Sequence, residues 1–265
     1  MLFDLHAHSS GISRCCRIPA EEVIRRAKAV GLDGIVLCNH YQTLRNYLKD
    51  GTPEEFARRY IAEYEYAKQW GDTLGFRVLF GVEVTMEAYE NQHLTVYGLS
   101  PEFLLAHPTL YSMTQEELYS LVKEAGGALI QAHPLRKGNN VLMDIALLDG
   151  IELNCHPGYD GTHADELSDL AVRHGKFLTC GGDYHADTYR PHCGVFLPET
   201  VRNEADLATY LRTTDRITLR THEPHELTYT ERTFCRGKGF VDERHSPLTP
   251  NDIDKELQFE RNEQA

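Results

Sequence analysis

The chain has 265 residues and a formal net charge of -13 at pH 7, and these two properties exclude several classes of protein. The length suits one α/β barrel or two small domains. No apolar run is long enough to span a membrane, so a membrane protein is not expected. The negative charge argues against a broad contact with a long nucleic-acid backbone, although a nucleotide or a short oligonucleotide would still fit.

The seven cysteines are an odd number and include no CxxC pair. Their spacing therefore gives no sign of a structural zinc knuckle or of a thioredoxin-type site. The opening segment MLFDLHAHSS lacks the basic start and the uninterrupted apolar run of a secretory signal. We therefore predict reduced thiols and a cytoplasmic protein.

Short apolar segments alternate with amphipathic segments along most of the chain. Strands are predicted at LFDL, GIVLCNH, FRVLFGVEV, HLTVYGL, GALIQAHP, GIELNC and FLTCGGDYH. Helices are predicted from Pro19 to Gly31, over roughly residues 53–70, from Thr114 to about residue 125, and from Ala164 to Gly175. Thr114 and Glu117 form a capping box for the third of these helices. Nearly apolar strands that alternate with helices indicate a parallel sheet, and hence an α/β fold of the TIM-like barrel type.

The composition changes near residue 222. The predicted strands and helices occupy residues 1–221, which we expect to form a barrel domain. Residues 222–265 combine scattered apolar residues, prolines and many charges. This composition predicts a polar C-terminal extension that is only partly ordered.

Side chains that bind metals lie in or beside the predicted strands. They are His6, His8, His40, Glu83, His93, His133, Asp183 and His185. Most of them lie at the carboxyl ends of strands, which meet at one face of a barrel; His93 is the exception, since it lies near the start of its strand. All eight side chains could face one cavity. Imidazoles with carboxylates suit zinc, manganese or iron, which activate water for hydrolysis.

The ordered set DLHAH, NH, GVE, H before LTVYG, AHP and GGDYH resembles the polymerase and histidinol phosphatase (PHP) superfamily over roughly residues 1–195. The resemblance implies a distorted (β/α)7 barrel with two or three divalent metal ions, and hydrolysis of a phosphate ester by metal-activated hydroxide. The implied ligand sets are His6, His8, Glu83 and Asp183 for one metal, Glu83, His93 and His133 for a second, and His40 and His185 for a third.

Two segments depart from the family pattern. GISRCCR has no Asp or His where the family completes the third metal site, and Asn39 in CNH replaces an acidic residue. We predict that Cys15 supplies the missing ligand as a thiolate, which would favour zinc or iron. The other hypothesis is an empty or weak third site at which Arg14 supplies the positive charge.

The expected partner is a small phosphorylated substrate, such as histidinol phosphate, a nucleotide or a bisphosphate. A phosphate ester needs cations around its oxygens, and the candidates are Arg14, Arg17, Arg136 and Arg190. The predicted catalytic residues are Arg14, Asp183 and His185. Weaker candidates for the rim or lining of the site are His156, His163, His192, His222, His225, Asn154 and Asp160.

Two other functions stay open at this point. Amidohydrolase barrels also begin with HxH and end with an Asp, but they add a metal-bridging Lys that we cannot place in this sequence. A non-catalytic metal-binding module is the other alternative, because some barrels of the resembling family serve as structural parts of polymerases. The sequence does not determine the substrate, the native metal or the oligomeric state.

Overall fold

The computed structural model describes residues 1–43, 47–49, 51–89, 92–136, 142–156, 158–185, 193–223 and 228–247. The helices in these ranges are α1 (Ala20–Ala29), α2 (Pro53–Leu74), α3 (Glu102–Ala106), α4 (Gln115–Glu124), α5 (Ala164–His174) and α6 (Glu204–Thr213). The strands are β1 (Leu2–Ala7), β2 (Gly34–Leu37), β3 (His40–Tyr41), β4 (Arg77–Thr85), β5 (His93–Tyr97), β6 (Ala128–Gln131), β7 (Gly150–Asn154), β8 (Phe177–Gly181), β9 (Gly194–Phe196), β10 (Arg216–His222), β11 (Thr228–Cys235) and β12 (Gly239–Pro247).

The strands form one curled sheet in the order β12-β11-β10-β9-β1-β2-β4-β5-β6-β7-β8, with β3 added beside β4. The end of β8 returns to β1, because Ala7 pairs with Tyr184 in an isolated parallel bridge. The N–H of Gly182 also donates to Asp4 Oδ1 at 2.8 Å. The chain therefore has the barrel-like α/β fold expected from its sequence.

The contact between β8 and β1 requires a glycine. A Cβ atom on Gly181 would lie 2.3 Å from the Cβ of His6 and 2.6 Å from its backbone nitrogen. Distances this short are not tolerated, so any larger residue would push the two strands apart. Gly181 thus allows β8, at one end of the sheet, to lie against β1 beside His6.

The sheet is not parallel throughout, so that prediction was wrong. The strands β1, β2 and β4 are parallel, as are β6, β7 and β8. However, β5 is antiparallel to both β4 and β6, and β9 is antiparallel to β1. The described residues between Thr85 and His93 form no crossover helix, and a chain that turns back over so few residues can only pair antiparallel.

The C-terminal strands continue the sheet beyond β9. β10 pairs antiparallel with β9 and β11, and β11 pairs antiparallel with β12. Residues 248–265 lie outside the described residues. The proposed domain boundary after residue 221 stays a prediction.

The helices agree closely with the sequence-based predictions. The capping box is confirmed, since the Thr114 side chain accepts from Glu117 N–H while the Glu117 side chain accepts from Thr114 N–H. α5 ends at Gly175, which has a left-handed φ of 63°. α2 continues to Leu74, a few residues beyond the predicted end. None of the described helices combines the length and the apolarity needed to cross a membrane.

Two apolar clusters hold the sheet and helices together. α1 and α2 pack on β2 and β4, where Ile24 and Phe56 are at most 1% exposed. A second cluster includes Phe3 and Leu5 of β1 together with residues of α5 and α6. Both clusters bury strand residues ahead of the strand ends, and this burial gives the side chains at those ends a rigid support.

Candidate metal centre

The eight predicted ligands meet at one end of the sheet. Most of them lie at or just beyond the carboxyl ends of parallel strands, as expected for a barrel. His93 is the first residue of β5, but β5 runs antiparallel, so its amino end lies beside the carboxyl end of β4. Thr85 and His93 are direct partners in this ladder. Because β5 runs antiparallel, His93 lies at the same end of the sheet as the other predicted ligands.

Glu83 lies at the middle of the centre and is fully buried. Its two oxygens face five imidazoles: His6 Nε2 at 3.4 Å, His8 Nε2 at 3.5 Å, His93 Nδ1 at 2.6 Å, His133 Nε2 at 3.2 Å, and His40 Nδ1. Burial alone would raise the pKa of this carboxyl, but the charges of His40, His93 and His6 hold it well below the usual range. Glu83 is therefore an anion that can bridge two cations.

Asp183 faces Glu83 from the end of β8. Its Oδ1 lies 3.1 Å from His8 Nε2 and 3.2 Å from His185 Nδ1. Burial opposes ionisation, but His185 and His6 outweigh it and hold the pKa of Asp183 well below the usual range. The backbone of Asp183 has a left-handed φ of 52°, and His133 has a φ of 31°. Such strain is uncommon outside glycine and is found at functional sites.

The donor atoms fall into three overlapping groups, each with its atoms within 4.8 Å of one another: His6, Glu83, His133 and Asp183; His40, Glu83 and His93; and His8, His40 and His185. His8 thus groups with His40 and His185, whereas the family resemblance implies a place beside His6. The assignment of individual ligands to individual metals stays a prediction.

Five buried atoms in the centre make no hydrogen bond of regular geometry, although they lie at ion-pair distance from one another: His6 Nε2, His8 Nε2, His40 Nδ1, Glu83 Oε2 and Asp183 Oδ1. A buried polar atom without a partner is unfavourable by about 1–3 kcal/mol, so five in one place need a common explanation. Imidazole nitrogens and carboxylate oxygens are ligands of zinc, manganese and iron. The residues present therefore fit divalent cations, and their arrangement suggests divalent metal binding.

A buried hydrogen-bond network fixes the tautomer of His8. Asn39 Oδ1 accepts from the N–H of Ser9 at 2.8 Å and from the hydroxyl of Ser13 at 2.7 Å. Because the Ser13 proton is used in this way, its oxygen must accept from His8 Nδ1 at 2.9 Å. The His8 Nε2 lone pair is then left facing Glu83 and Asp183. Asn39, which stands where the family pattern has an acidic residue, therefore orients His8 through Ser13.

His6 is oriented by a carboxylate that the sequence analysis missed. Its Nδ1 lies 2.9 Å from Glu152 Oε2, so Nδ1 carries the proton and Nε2 faces the centre. Glu152 Oε2 also accepts from the backbone N–H of His133 at 3.2 Å. Such carboxylate and imidazole pairs orient metal ligands. The signal was available, since a glutamate inside the apolar segment GIELNC needs a buried partner.

Tyr159 was also missed, and it links Asp183 to an arginine. Its hydroxyl donates to Asp183 Oδ2 at 2.8 Å and accepts from Arg136 Nη1 at 3.0 Å. The Arg136 guanidinium also lies 5.7 Å from the centre of the Tyr159 ring. The structure thus places Arg136 beside the centre. Nothing in the sequence near GYDG distinguishes Tyr159 from a loop tyrosine.

Cys15 lies at the outer edge of the centre. Its Sγ is 3.1 Å from His40 Nε2, and His185 also forms a hydrogen bond with it. Burial raises the pKa of this thiol, but the hydrogen bonds to His185 and His40 outweigh burial and lower it to about 5. Cys15 is therefore a thiolate next to two of the predicted ligands of a third metal.

Arg14, Arg17 and Arg190 are the other arginines that were predicted to bind phosphate. Arg14 and Arg17 are exposed in the loop after β1, and the N–H of Arg17 donates to the carbonyl of His185 at 3.1 Å. Arg190 lies outside the described residues. The roles of these arginines in binding phosphate stay predictions.

Of the weaker candidates for the rim or lining of the site, some lie near the centre and others do not. The His156 ring lies 4.7 Å from the Tyr159 ring, at the edge of the centre. His163 pairs with Asp160 at 3.4 Å. His222 is buried near Cys155 and Cys193, away from the eight ligands. His192 and His225 lie outside the described residues, as does the side chain of Asn154.

Comparison with solved structures shows proteins of similar fold. A protein from Bifidobacterium adolescentis, provisionally named a metal-dependent phosphoesterase, has a TM-score of 0.50 at 17% identity and covers 80% of this chain and 96% of its own. An amidohydrolase from Chromobacterium violaceum, with bound sulfate and no metal, has a TM-score of 0.51 at 18% identity and covers 76% of this chain and 93% of its own. PsfC from Pseudomonas syringae has a TM-score of 0.51 at 16% identity and covers 99% of this chain and 97% of its own.

No protein-family model matches the chain, and no curated protein sequence does either. The likeness to the solved structures therefore concerns the fold. Two of these structures are named as hydrolases, and the chain itself carries clustered buried His, Glu and Asp side chains.

Proposed function

We propose that this chain is a metal-dependent phosphoesterase of the PHP superfamily, with a distorted (β/α)7 barrel, that hydrolyses a small phosphate ester in the cytoplasm. The observation that carries the proposal is the set of five buried nitrogen and oxygen atoms that face one another around Glu83 and Asp183 without a hydrogen bond of regular geometry. The fold shared with a protein provisionally named a metal-dependent phosphoesterase supports it.

Metal ions would be held by His6, His8, His40, Glu83, His93, His133, Asp183 and His185. When bound, divalent ions supply Lewis-acid chemistry, because they lower the pKa of water and stabilise the charge that develops on a phosphoryl group. Two carboxylates would offset only part of the charge of two or three such ions, and the six imidazoles would bind them as neutral ligands. The metal identity and number are part of the proposal.

The protein's own residues prepare the centre in two ways. Ser13 and Glu152 each occupy Nδ1 of an imidazole, so that Nε2 of His8 and of His6 is kept free for a cation. Tyr159 donates to Asp183 Oδ2, which leaves Oδ1 to face His8 and His185. Preorganised donors of this kind do not have to rearrange when a substrate arrives.

Substrate binding and proton transfer fall to residues at the edge of the centre. Arg136 lies beside Tyr159 and can pair with two oxygens of a phosphate, while Arg14 and Arg17 lie in the loop that contacts His185. His185 donates from Nδ1 to the carbonyl of Asp183 at 2.7 Å. Its Nε2 is therefore the atom that holds a cation or gives a proton to the leaving oxygen.

Cys15 completes the third group of ligands in this proposal. Its thiolate lies where the family pattern has an Asp or a His, and it touches His40 and His185. Sulfur in the ligand set favours zinc or iron over manganese. A Cys15→Ser variant should lose part of its bound metal; an unchanged metal content would contradict the assignment and favour Arg14 as the source of positive charge.

The test of the function is phosphate release. The protein is reconstituted separately with zinc, manganese and iron and assayed on histidinol phosphate, sugar phosphates, nucleoside monophosphates, 3',5'-bisphosphates and an aryl phosphate. We expect release with at least one metal, its loss in a His8→Ala, Asp183→Ala double variant, and its retention in His245→Ala. His245 is the matched control because its side chain is 60% exposed on β12. Folded, metal-loaded protein that releases no phosphate would contradict the proposal.

Amide hydrolysis is the second candidate, because one of the solved structures of similar fold is named an amidohydrolase. In this chain Glu83 lies where it could bridge two metal ions, because its oxygens face five imidazoles. The same metal-loaded preparations are therefore assayed on carboxamides and lactones. Turnover of these compounds without phosphate release would favour the second candidate.

A further inference from the structure

Three buried thiols lie together outside the candidate metal centre. Cys155 follows β7, Cys180 is in β8, and Cys193 precedes β9, and their exposed fractions are 6%, 0% and 1%. All three are free cysteines. We call these residues the thiol cluster. No local sequence pattern indicates it, because the three residues are far apart along the chain and none belongs to a CxxC pair.

The geometry of the thiol cluster suits one metal ion. The three Sγ atoms lie within 4.8 Å of one another, and those of Cys155 and Cys180 are 3.2 Å apart. An ion bound in a plane by three sulfurs at about 2.3 Å would place the sulfurs about 4.0 Å apart. Side-chain movements of less than about 1 Å would therefore produce a three-coordinate site.

The surroundings of the thiol cluster stabilise negative charge on Cys193, whereas burial raises the pKa of Cys155 and of Cys180 well above the ordinary value. Cys155 and Cys193 receive a backbone hydrogen bond from His222, and the thiols bond to one another. Burial raises the pKa of Cys193, but hydrogen bonds from Cys155 and Cys180 outweigh burial and lower it to about 6. A thiolate is the form of cysteine that binds metals.

Cys38 shows how a buried cysteine behaves when it only fills the core. It is also 0% exposed, and its thiol donates to the carbonyl of Leu5 at 3.4 Å. Burial raises its pKa well above the ordinary value. A single apolar thiol of this kind needs no ligand. The thiol cluster differs because three sulfurs converge on one point and share hydrogen-bond donors.

We propose that the thiol cluster binds one soft d10 metal ion, with copper(I) preferred, through the sulfurs of Cys155, Cys180 and Cys193. Thiolates select copper(I) and zinc among the common metals. In the part of the chain that the structure describes, no imidazole or carboxylate joins this group. Three sulfur ligands suit copper(I), whereas structural zinc sites have four ligands.

Such an ion would connect strands that the barrel must hold together. The sulfurs belong to the residue that follows β7, to β8 and to the residue that precedes β9. Cys180 also donates to the carbonyl of Arg220 in β10 at 3.3 Å. The ion would therefore fix the end of β8, from which Asp183 follows. The proposal does not depend on the hydrolytic function of the metal centre.

The test uses the full chain with Cys15→Ser, so that the thiol of the metal centre cannot contribute. The reduced protein is titrated with copper(I) without oxygen, in competition with a chromophoric copper(I) chelator, and in parallel with zinc. We expect one copper(I) per chain, a thiolate-to-copper absorption band, a higher melting temperature and weaker binding of zinc. Failure to retain any copper(I) against the chelator would overturn the proposal.

Two comparisons locate the bound ion. Cys193→Ala should abolish the thiolate band, while Cys38→Ala, which alters a buried thiol outside the cluster, should keep it; circular dichroism checks that both are folded. X-ray absorption of copper-loaded Cys15→Ser protein needs no cluster variant. Three sulfur neighbours are expected, and coordination by nitrogen and oxygen alone would overturn the proposal.

Discussion

The metal-centre end of the sheet and the C-terminal strands β10–β12 bury different kinds of side chain. At the metal centre, Glu83, Glu152 and Asp183 are at most 3% exposed. In the C-terminal strands, the buried residues include Leu219 and Phe234, at 0% and 1% exposed. The first region therefore buries charge, and the second buries hydrocarbon.

The charged side chains of the two regions also face different kinds of group. In the C-terminal strands, Arg220 is paired with Glu231, and its Nε donates to Glu231 Oε1 at 3.1 Å, with both side chains partly exposed. At the metal centre, the buried Glu83 Oε2 and Asp183 Oδ1 make no hydrogen bond of regular geometry, and only imidazoles face them at ion-pair distance. Buried charge without enough partners is kept only where something else compensates it. The comparison therefore predicts that changes in the first region affect activity and changes in the second affect stability.

The largest effect is expected for Glu83→Gln. The amide cannot bridge two cations, and the stabilisation that metals give to a phosphoryl transition state is worth several kcal/mol. We therefore expect at least about a 1000-fold loss in kcat/KM and a fall in bound metal measured by elemental analysis. The control is Glu231→Gln, the same change in β11, which should keep full activity. Equal losses in both variants would remove the distinction between the two regions.

Phe234→Ala tests whether changes in the C-terminal strands affect stability rather than activity. Phe234 is 1% exposed, and its ring lies 5.9 Å from that of Phe240. Truncation of a buried phenylalanine lowers the free energy of unfolding by about 3 kcal/mol or more, which denaturant titration measures. The folded variant should keep its kcat. The surface change Val241→Ala, at a residue 48% exposed, is the control and should alter neither quantity.

Glu152→Gln is expected to have an intermediate effect. The amide weakens the hydrogen bond that orients His6, and changes to partners of metal ligands reduce metal affinity or activity by about 10- to 100-fold. Competition with a metal chelator measures the affinity. Glu204→Gln is a matched control, because Glu204 accepts from Tyr64 and from the Phe80 N–H outside the centre. An unchanged metal affinity in Glu152→Gln would show that Glu152 does not position His6.

Tyr159→Phe should have the smallest effect. It removes one hydroxyl that donates to Asp183 and accepts from Arg136, and a hydrogen bond of this kind contributes about 1 kcal/mol. We expect a loss of about 3- to 10-fold in kcat/KM, with little change in bound metal. Tyr64→Phe, which removes a hydroxyl bonded to Glu204, should leave kcat/KM unchanged. A loss in the control as large as in Tyr159→Phe would indicate a general effect on stability.

Much of the fold and most of the candidate site could be predicted because local patterns report on them directly. The Thr114 capping box and the Gly175 helix end depend on residues a few positions apart, and both occur as expected. Glu83 stood out because a carboxylate in an apolar strand needs a partner. The same reasoning would have found Glu152. Tyr159 could not be found, because its partners come from β8 and from the loop after β6.

The sequence by itself determined which residues end up buried in strands and which chemistry lies at the strand ends, since periodicity and side-chain type are local properties. Only the tertiary structure decided where these residues meet. The reversal of β5 brings His93 to Glu83, and Gly181 lets β8 approach His6. It also decided that Cys155, Cys180 and Cys193 converge. Contacts between distant strands depend on pairing direction and register, which no local pattern in this chain specifies.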